Sequence, residues 1–248
     1  MKEWDYGGYA KKYGVRTGRT LKVGTGIVKC CDLMKAGKPP FPPTVRARLN
    51  LPDFMKTARV IFVDPPCSRG NLKSFYTKAD KELERSFEYF QDCLFLAIKA
   101  VNPVMCFIEV FQSNKRDVMD FMSHQFEYTA AIESTYYHNK KNKCWVILGA
   151  HVGYKKVLRK MEEADDSPSR LDLRDPLLAF QSIVGMDEQN VIEWICKNVL
   201  PGTVIGDFCM GRGLVGFYAN KYGRPFVGTE LNPNRLAVLF HRIETGKL

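Results

Sequence analysis

The stretch from Val204 to Arg242 narrows the choice of folds more than any other part of this chain. A short apolar run ends at Asp207, and the loop Phe208-Cys209-Met210-Gly211-Arg212-Gly213 follows it. LVGFYANKYG then has the spacing of a helix, with Gly223 placed to stop it. A second apolar run, RPFVGTEL, ends at Glu230, and NPNRLAVLFHRI opens another helix. Strand, glycine loop, helix and strand in this order form the repeating unit of a parallel α/β layer. Glycines in such a loop let the backbone approach a ligand without a Cβ in the way. An acidic residue closing the next strand, about two dozen residues after the first strand, can accept hydrogen bonds from ribose hydroxyls. The loop lacks the G-K-[ST] of a phosphate-cradling Walker motif. Gly211, Gly213 and Gly216 reproduce the G-x-G-x-x-G spacing, but an acidic residue before the turn, Asp207, is not part of that fingerprint.

The rest of the chain fits the same architecture. ARVIFVDPP contains a β-branched apolar run, Val60 to Val63, that suits a buried parallel strand and is stopped by Asp64 and two prolines. The spacing predicts a helix from about 79 to 100, ended by Asn102 and Pro103, then a buried strand in VMCFIEVF and a helix in RDVMDFMSHQF. EYTAAIESTYY and KCWVILGAHV flank the basic turn HNKKNK and read as an antiparallel hairpin. DEQNVIEWICKNVL reads as a helix ended by Pro201 and Gly202. Two regions lack such periodicity. Residues 1–50, with KAGKPPFPP, read as a basic irregular N-terminal arm ahead of one domain over 51–248, and 155–174 read as a charged surface loop.

Composition sets the class of partner. The 37 Lys and Arg against 27 Asp and Glu leave a formal charge of +10, which favours polyanions because phosphate neutralisation releases counterions. None of the eight cysteines forms a C-x-x-C pair, and several lie in apolar runs, so no metal site is expected and a reducing compartment without structural disulfides fits. No apolar run approaches the ~20 residues that span a bilayer, and the N-terminus lacks the apolar core of a secretory signal. The expectation is a cytoplasmic protein, at the nucleoid or in the nucleus if DNA is its substrate, with no membrane contact.

Asp64-Pro65-Pro66-Cys67 supplies the candidate chemistry. An exocyclic amine on a base is a poor nucleophile because its lone pair is delocalised into the ring. A carboxylate and a backbone carbonyl can accept its two N–H bonds, favour a tetrahedral nitrogen and aim the lone pair. Proline fixes the backbone that presents the carbonyl. Taken alone, Asp-Pro-Pro after a strand is an ordinary turn. Together the two segments resemble amino-group (adenine-N6 or cytosine-N4) DNA methyltransferases of the β class, in which motif IV, D-P-P-[YFW], precedes motif I, D-P-F-x-G-S-G, and motif II, G-R-x-F-x-G-x-E. Asp207, Gly211, Gly213, Gly223, Arg224, Phe226, Gly228 and Glu230 stand where that pattern expects them. Phe208 replaces a proline, Cys209 an aromatic, and Cys67 the aromatic that stacks on an extruded base. Tyr136, Tyr137, Phe75 and Tyr76 are candidates to replace that aromatic. The resemblance covers roughly residues 58 to 112 and 175 to 248.

The resemblance implies a Rossmann-like S-adenosylmethionine-dependent methyltransferase fold, α/β with a mostly parallel sheet and the antiparallel hairpin on its C-terminal side. It implies S-adenosyl-L-methionine as cofactor, with Asp207 at the methionine part, Glu230 at the ribose, and Leu231 or Asn232 beside the adenine. It also implies Asp64 and the Pro65 carbonyl at the amine, with Pro66 and Cys67 completing the motif. The expected substrate is DNA ahead of RNA, and adenine N6 ahead of cytosine N4, because cytosine enzymes often carry Ser in place of Asp64. Three alternatives stay open: cytosine N4 methylation, a 5-methylcytosine enzyme with Cys67 as nucleophile, and an inactive nucleic-acid-binding subunit. A homodimer or a specificity subunit is an open partner.

Overall fold

A computed structural model describes residues 8–34, 49–136, 143–151 and 181–248. Eight strands form one sheet: β1 (Thr20–Val23), β2 (Gly26–Cys30), β3 (Val60–Val63), β4 (Met105–Val110), β5 (Tyr128–Thr135), β6 (Lys143–Ala150), β7 (Ile205–Asp207) and β8 (Phe226–Glu230). Their spatial order is β1-β2-β8-β7-β3-β4-β6-β5. β2, β8, β7, β3 and β4 pair in parallel, β6 pairs antiparallel with both β4 and β5, and β1 pairs antiparallel with β2. β3, β4, β7 and β8 are buried along their whole length, as strands covered on both faces must be.

Seven α-helices are described: α1 (Tyr9–Lys12), α2 (Arg69–Lys78), α3 (Phe87–Val101), α4 (Lys115–Gln125), α5 (Glu188–Asn198), α6 (Leu214–Lys221) and α7 (Pro233–Thr245). A 3-10 turn spans Asp53–Thr57. One apolar cluster joins Val60, Phe62, Met105 and Phe107 of the sheet to Ile192 of α5 and Leu236 of α7. The opposite cluster joins Ile61, Val63, Cys106 and Ile108 to Leu94 of α3 and Met122 of α4. The pleat therefore deals alternate residues of each strand to the two helical layers.

Three sequence expectations change. Of the N-terminal arm expected to be irregular, residues 20–30 form a hairpin whose second strand runs parallel to β8, pairing Gly26 with Phe226 through Cys30 with Glu230. Its apolar residues are sparse because β1 is an edge strand with one buried residue of four. The helix expected from about 79 starts at Phe87, where the Ser86 hydroxyl accepts from the Tyr89 amide, because apolar spacing begins only there. A separate helix, α2, precedes it, capped by Ser68. The expected hairpin is β5 and β6, while its turn at 137–142, Tyr137, the KAGKPPFPP stretch and the 155–174 loop lie outside the described residues.

Arg224 ties the layers together. It is 2% exposed, and its guanidinium donates to the carbonyls of Thr203, Ile195 and Cys196 and to the Thr203 hydroxyl. Ile195 and Cys196 lie in the last turn of α5; the Ile195 carbonyl also accepts from the Val199 amide at 3.0 Å, so the buried cation adds a second donor there and supplies one to Cys196. Burial lowers the guanidinium's pKa to about 10. Arg224→Ala removes the guanidinium's bonds to the Thr203 and Cys196 carbonyls and is expected to cost about 3 kcal/mol, as a lower midpoint in urea denaturation with an unchanged slope.

Candidate active site

The chain leaves β7 for β8 through α6, on one face, and leaves β3 for β4 through α2 and α3, on the other. β7 and β3 are adjacent, with Val60 paired to Ile205 and Ile61 to Gly206. The strand order thus reverses between them, and ligands of open α/β sheets bind in the crevice at the carboxyl end of such a point. A cavity of about 300 Å³ opens there. Asp64, Asp207 and Glu230 line it, and Glu188 faces it from the first turn of α5.

The glycine loop is held open by its own backbone. Gly211 and Gly213 have φ of 53° and 77°, a region that residues with a Cβ avoid. A Cβ on Gly213 would also sit 2.5 Å from the Leu239 side chain of α7. Asp207 Oδ1 accepts from the Cys209 amide at 2.8 Å. Glu230 accepts from the Gly211 amide at 2.7 Å and the Asn232 amide at 2.9 Å, so it fixes both the loop and the start of α7. Each Glu230 oxygen keeps a lone pair for a further donor. Burial raises the pKa of Glu230, opposed first by the Arg235 charge, and raises that of Asp207 well above the ordinary range, opposed by the Cys209 amide.

Asp64 is half-buried in the step after β3. Burial raises its pKa to about 6, while the Arg235 charge and a hydrogen bond from Tyr136 pull the other way. The Tyr136 hydroxyl donates to Asp64 Oδ2 at 3.4 Å, and its ring meets Phe111 edge-on with centroids 5.5 Å apart. Pro65 and Pro66 are buried, and Pro66 lines the cavity. Cys67 is half-buried outside that lining, its amide donating to Asn71 Oδ1 at 3.2 Å. Burial raises the Cys67 thiol's pKa and the Asp64 charge adds to it, against the Ser68 hydroxyl.

Phe208, Cys209, Gly211 and Leu231 also line the cavity, whereas Gly213 and Asn232 stand behind it and shape the turn and the α7 cap. Sequence reasoning missed Arg235, Asp32 and Glu188. Arg235 stands three residues past Asn232 on α7, its guanidinium 4.7 Å from the Phe75 ring centroid. Its Nε has no hydrogen-bond partner among the described residues. Asp32, just past β2, accepts from the Tyr76 hydroxyl at 2.6 Å. Its signal was lost because the strand before it was not recognised. Among the described residues no cluster has the makings of a metal site.

The cavity suits S-adenosylmethionine on three counts. Two buried carboxylates with spare acceptor capacity flank the glycine loop. Gly211 lines the cavity without a Cβ, which would press on the Arg235 guanidinium at 2.9 Å. Arg235 offers an Nε donor without a partner among the described residues.

No family model and no curated protein matches the sequence. Solved structures do resemble it. M1.HpyAVI is 14% identical, with a TM-score of 0.47 over 77% of this chain and 94% of that one. TTHA0409 of Thermus thermophilus, a DNA modification methylase by its description, complexed with S-adenosyl-L-methionine, is 13% identical, with a TM-score of 0.48 over 77% and 86%. PvuII DNA methyltransferase (cytosine-N4-specific) is 11% identical, with a TM-score of 0.44 over 94% and 98%. At these values the chemistry must rest on this chain's own residues.

Among the described residues, Arg235 is the cation that acts on the Asp64 carboxyl. Arg235→Gln is expected to move the Asp64 pKa from about 6 upward by about one pH unit, read from its side-chain carboxyl carbon in an NMR titration.

Proposed function

We propose that this chain is an S-adenosylmethionine-dependent methyltransferase acting on an exocyclic amino group of a base in DNA, adenine N6 ahead of cytosine N4. The observation that carries this reading is the shared crevice. Asp64 and Pro66 of the Asp-Pro-Pro step line the same cavity as Asp207 and Glu230. Group transfer requires such contact between the two halves of a site.

Asp207 and Glu230 would hold the cofactor's methionine and ribose parts, with Leu231 toward its adenine. When bound there, S-adenosylmethionine supplies an electrophilic methyl group on a positively charged sulfur. Asp64 and the Pro65 carbonyl accept the N–H bonds of the amine and orient its lone pair. Tyr136 takes the place of the aromatic missing at Cys67. Its hydroxyl bonds to Asp64, so its ring would be the aromatic within reach of a base held at Asp64. The formal charge of +10 suits a phosphate backbone. A nucleophilic role for Cys67 is disfavoured, because burial and Asp64 both hold its thiol protonated.

Calorimetry should detect S-adenosylmethionine binding that is weakened in Asp207→Ala and Glu230→Ala, and unchanged binding in both variants would end the cofactor assignment. With DNA as substrate, Asp64→Ala should lose ~10²-fold or more in kcat while Cys67→Ser keeps substantial activity. Nucleoside mass spectrometry should find N6-methyladenine or N4-methylcytosine, and 5-methylcytosine would overturn the reading. Asp64 must be ionised to accept the amine's hydrogen bond and then its proton, so kcat should rise with pH through about 6.

A further inference from the structure

A further carboxyl group lies on the face that carries Asp64, Asp207 and Glu230. Glu109 is the fifth residue of β4 and is 1% exposed. Val63 of β3 pairs with Ile108 of β4, so the next residues, Asp64 and Glu109, come abreast. Val60 and Phe62 share their cluster with Met105 and Phe107, so alternation sends Asp64 and Glu109 to the same side of the sheet. Apart from the Cys144 thiol, a weak donor, neither carboxyl oxygen of Glu109 has a hydrogen-bond partner among the described residues. Buried polar atoms are nearly always satisfied, and an exception calls for a physical reason.

The groups facing Glu109 supply one. Asp64 acts on it from the end of β3, Glu188 from the first turn of α5, and the Cys144 thiol from β6. Ser134 of β5 pairs with Cys144, and its hydroxyl is committed to the Met186 carbonyl at 2.7 Å. Burial, then Asp64, then Glu188 drive the Glu109 pKa well above the ordinary carboxyl range, and the thiol alone opposes them weakly. Arg235 acts on Asp64 from α7 but is not among the groups that act on Glu109. The two neighbouring carboxyls are thus unequal: the one with a cation and a hydroxyl donor is easily ionised, and the one without them is not.

We propose that Glu109 is a positioning residue that holds one proton beside Asp64, so that the pair carries a single negative charge and Asp64 presents it to the substrate amine. This rests on the amine chemistry proposed at Asp64. Two carboxyls side by side cannot both ionise cheaply. Ionised Glu109 would force the proton onto Asp64, which could then no longer accept both of its hydrogen bonds. Neutral Glu109 leaves Asp64 ionised beside it. As the amine sheds one proton to Asp64, the pair passes from one proton to two. The extra proton leaves to water with the product.

The first test uses the wild-type protein without cofactor. The Glu109 side-chain carboxyl carbon, assigned through its own backbone resonances, should stay at the protonated position at neutral pH. An ionised Glu109 at neutral pH overturns the proposal. Glu109→Gln keeps the shape and a donor but cannot titrate. A raised folded-state pKa gives stability that is whole below the unfolded value of about 4.5 and is lost as pH rises toward the folded value. The wild type should therefore lose stability relative to Glu109→Gln as pH rises above about 4.5, read as the difference between their melting temperatures. Parallel curves overturn the proposal. In turnover, kcat of the wild type should fall on the alkaline side as Glu109 ionises, and Glu109→Gln should lose that falling limb. An identical profile shape in both proteins overturns it. If neither protein methylates a base, the function reading fails, while the cofactor-free measurements still decide where the proton resides.

Discussion

Everything at the site follows from the handedness of the crossovers. A right-handed connection from β7 to β8 and another from β3 to β4 step away from each other in the sheet, so their helices must cover opposite faces. The two helical layers part over the carboxyl ends of β7 and β3. The pleat does the rest. In β3, β4, β7 and β8 the residues packed against α5, α6 and α7 alternate with those packed against α2, α3 and α4. Counting by two from Phe62, Phe107, Ile205 and Gly228 reaches Asp64, Glu109, Asp207 and Glu230. Four acidic side chains from segments distant in sequence thus arrive on one face at one edge.

Such an edge is electrostatically costly, and the chain offsets the cost unevenly. Asp207 and Glu230 are anchored by backbone amides of the glycine loop, which stiffen the loop as they satisfy the carboxyls. Arg235 sets its charge between Asp64 and Glu230 and rests its guanidinium on Phe75. Glu109 lies one strand over on the same face, with Glu188 of α5 acting on it, and receives no such help. The gradient runs from a carboxyl held ready to ionise at the cavity to one kept neutral behind it. A site that accepts a cationic ligand and a proton-bearing amine can use both.

The departures at Cys67 and Cys209 look different once the side chains are placed. Cys209 is held in the cavity lining by the hydrogen bond that its backbone N–H donates to Asp207 and behaves as a small neutral filler, its thiol kept protonated by burial and the surrounding carboxylates. Cys67 puts no aromatic ring after the Asp-Pro-Pro step. Tyr136, delivered by the end of β5, stands against Asp64 with Phe111 at its edge.

Local chemistry was legible in the amino-acid order wherever neighbours along the chain supply the physics. The glycine turn, the acidic strand end at Glu230, the Asp-Pro-Pro stop after Val63 and most helix spans depend on backbone freedom, capping and apolar period, all short-range. What could not be read there depends on contacts between distant segments. β2 is only five residues long inside a Gly- and Lys-rich stretch, and its pairing to β8 is what makes it a strand of the sheet; Asp32 was hidden with it. Arg235 looks like any exposed helical arginine until α7 packs against the glycine loop. Glu109 sits in an apolar run, where its charge reads as an exception; only the register of β3 against β4 sets it beside Asp64. Burial and charge proximity are properties of packing, so the ionisation of these groups could be settled only when the sheet was assembled.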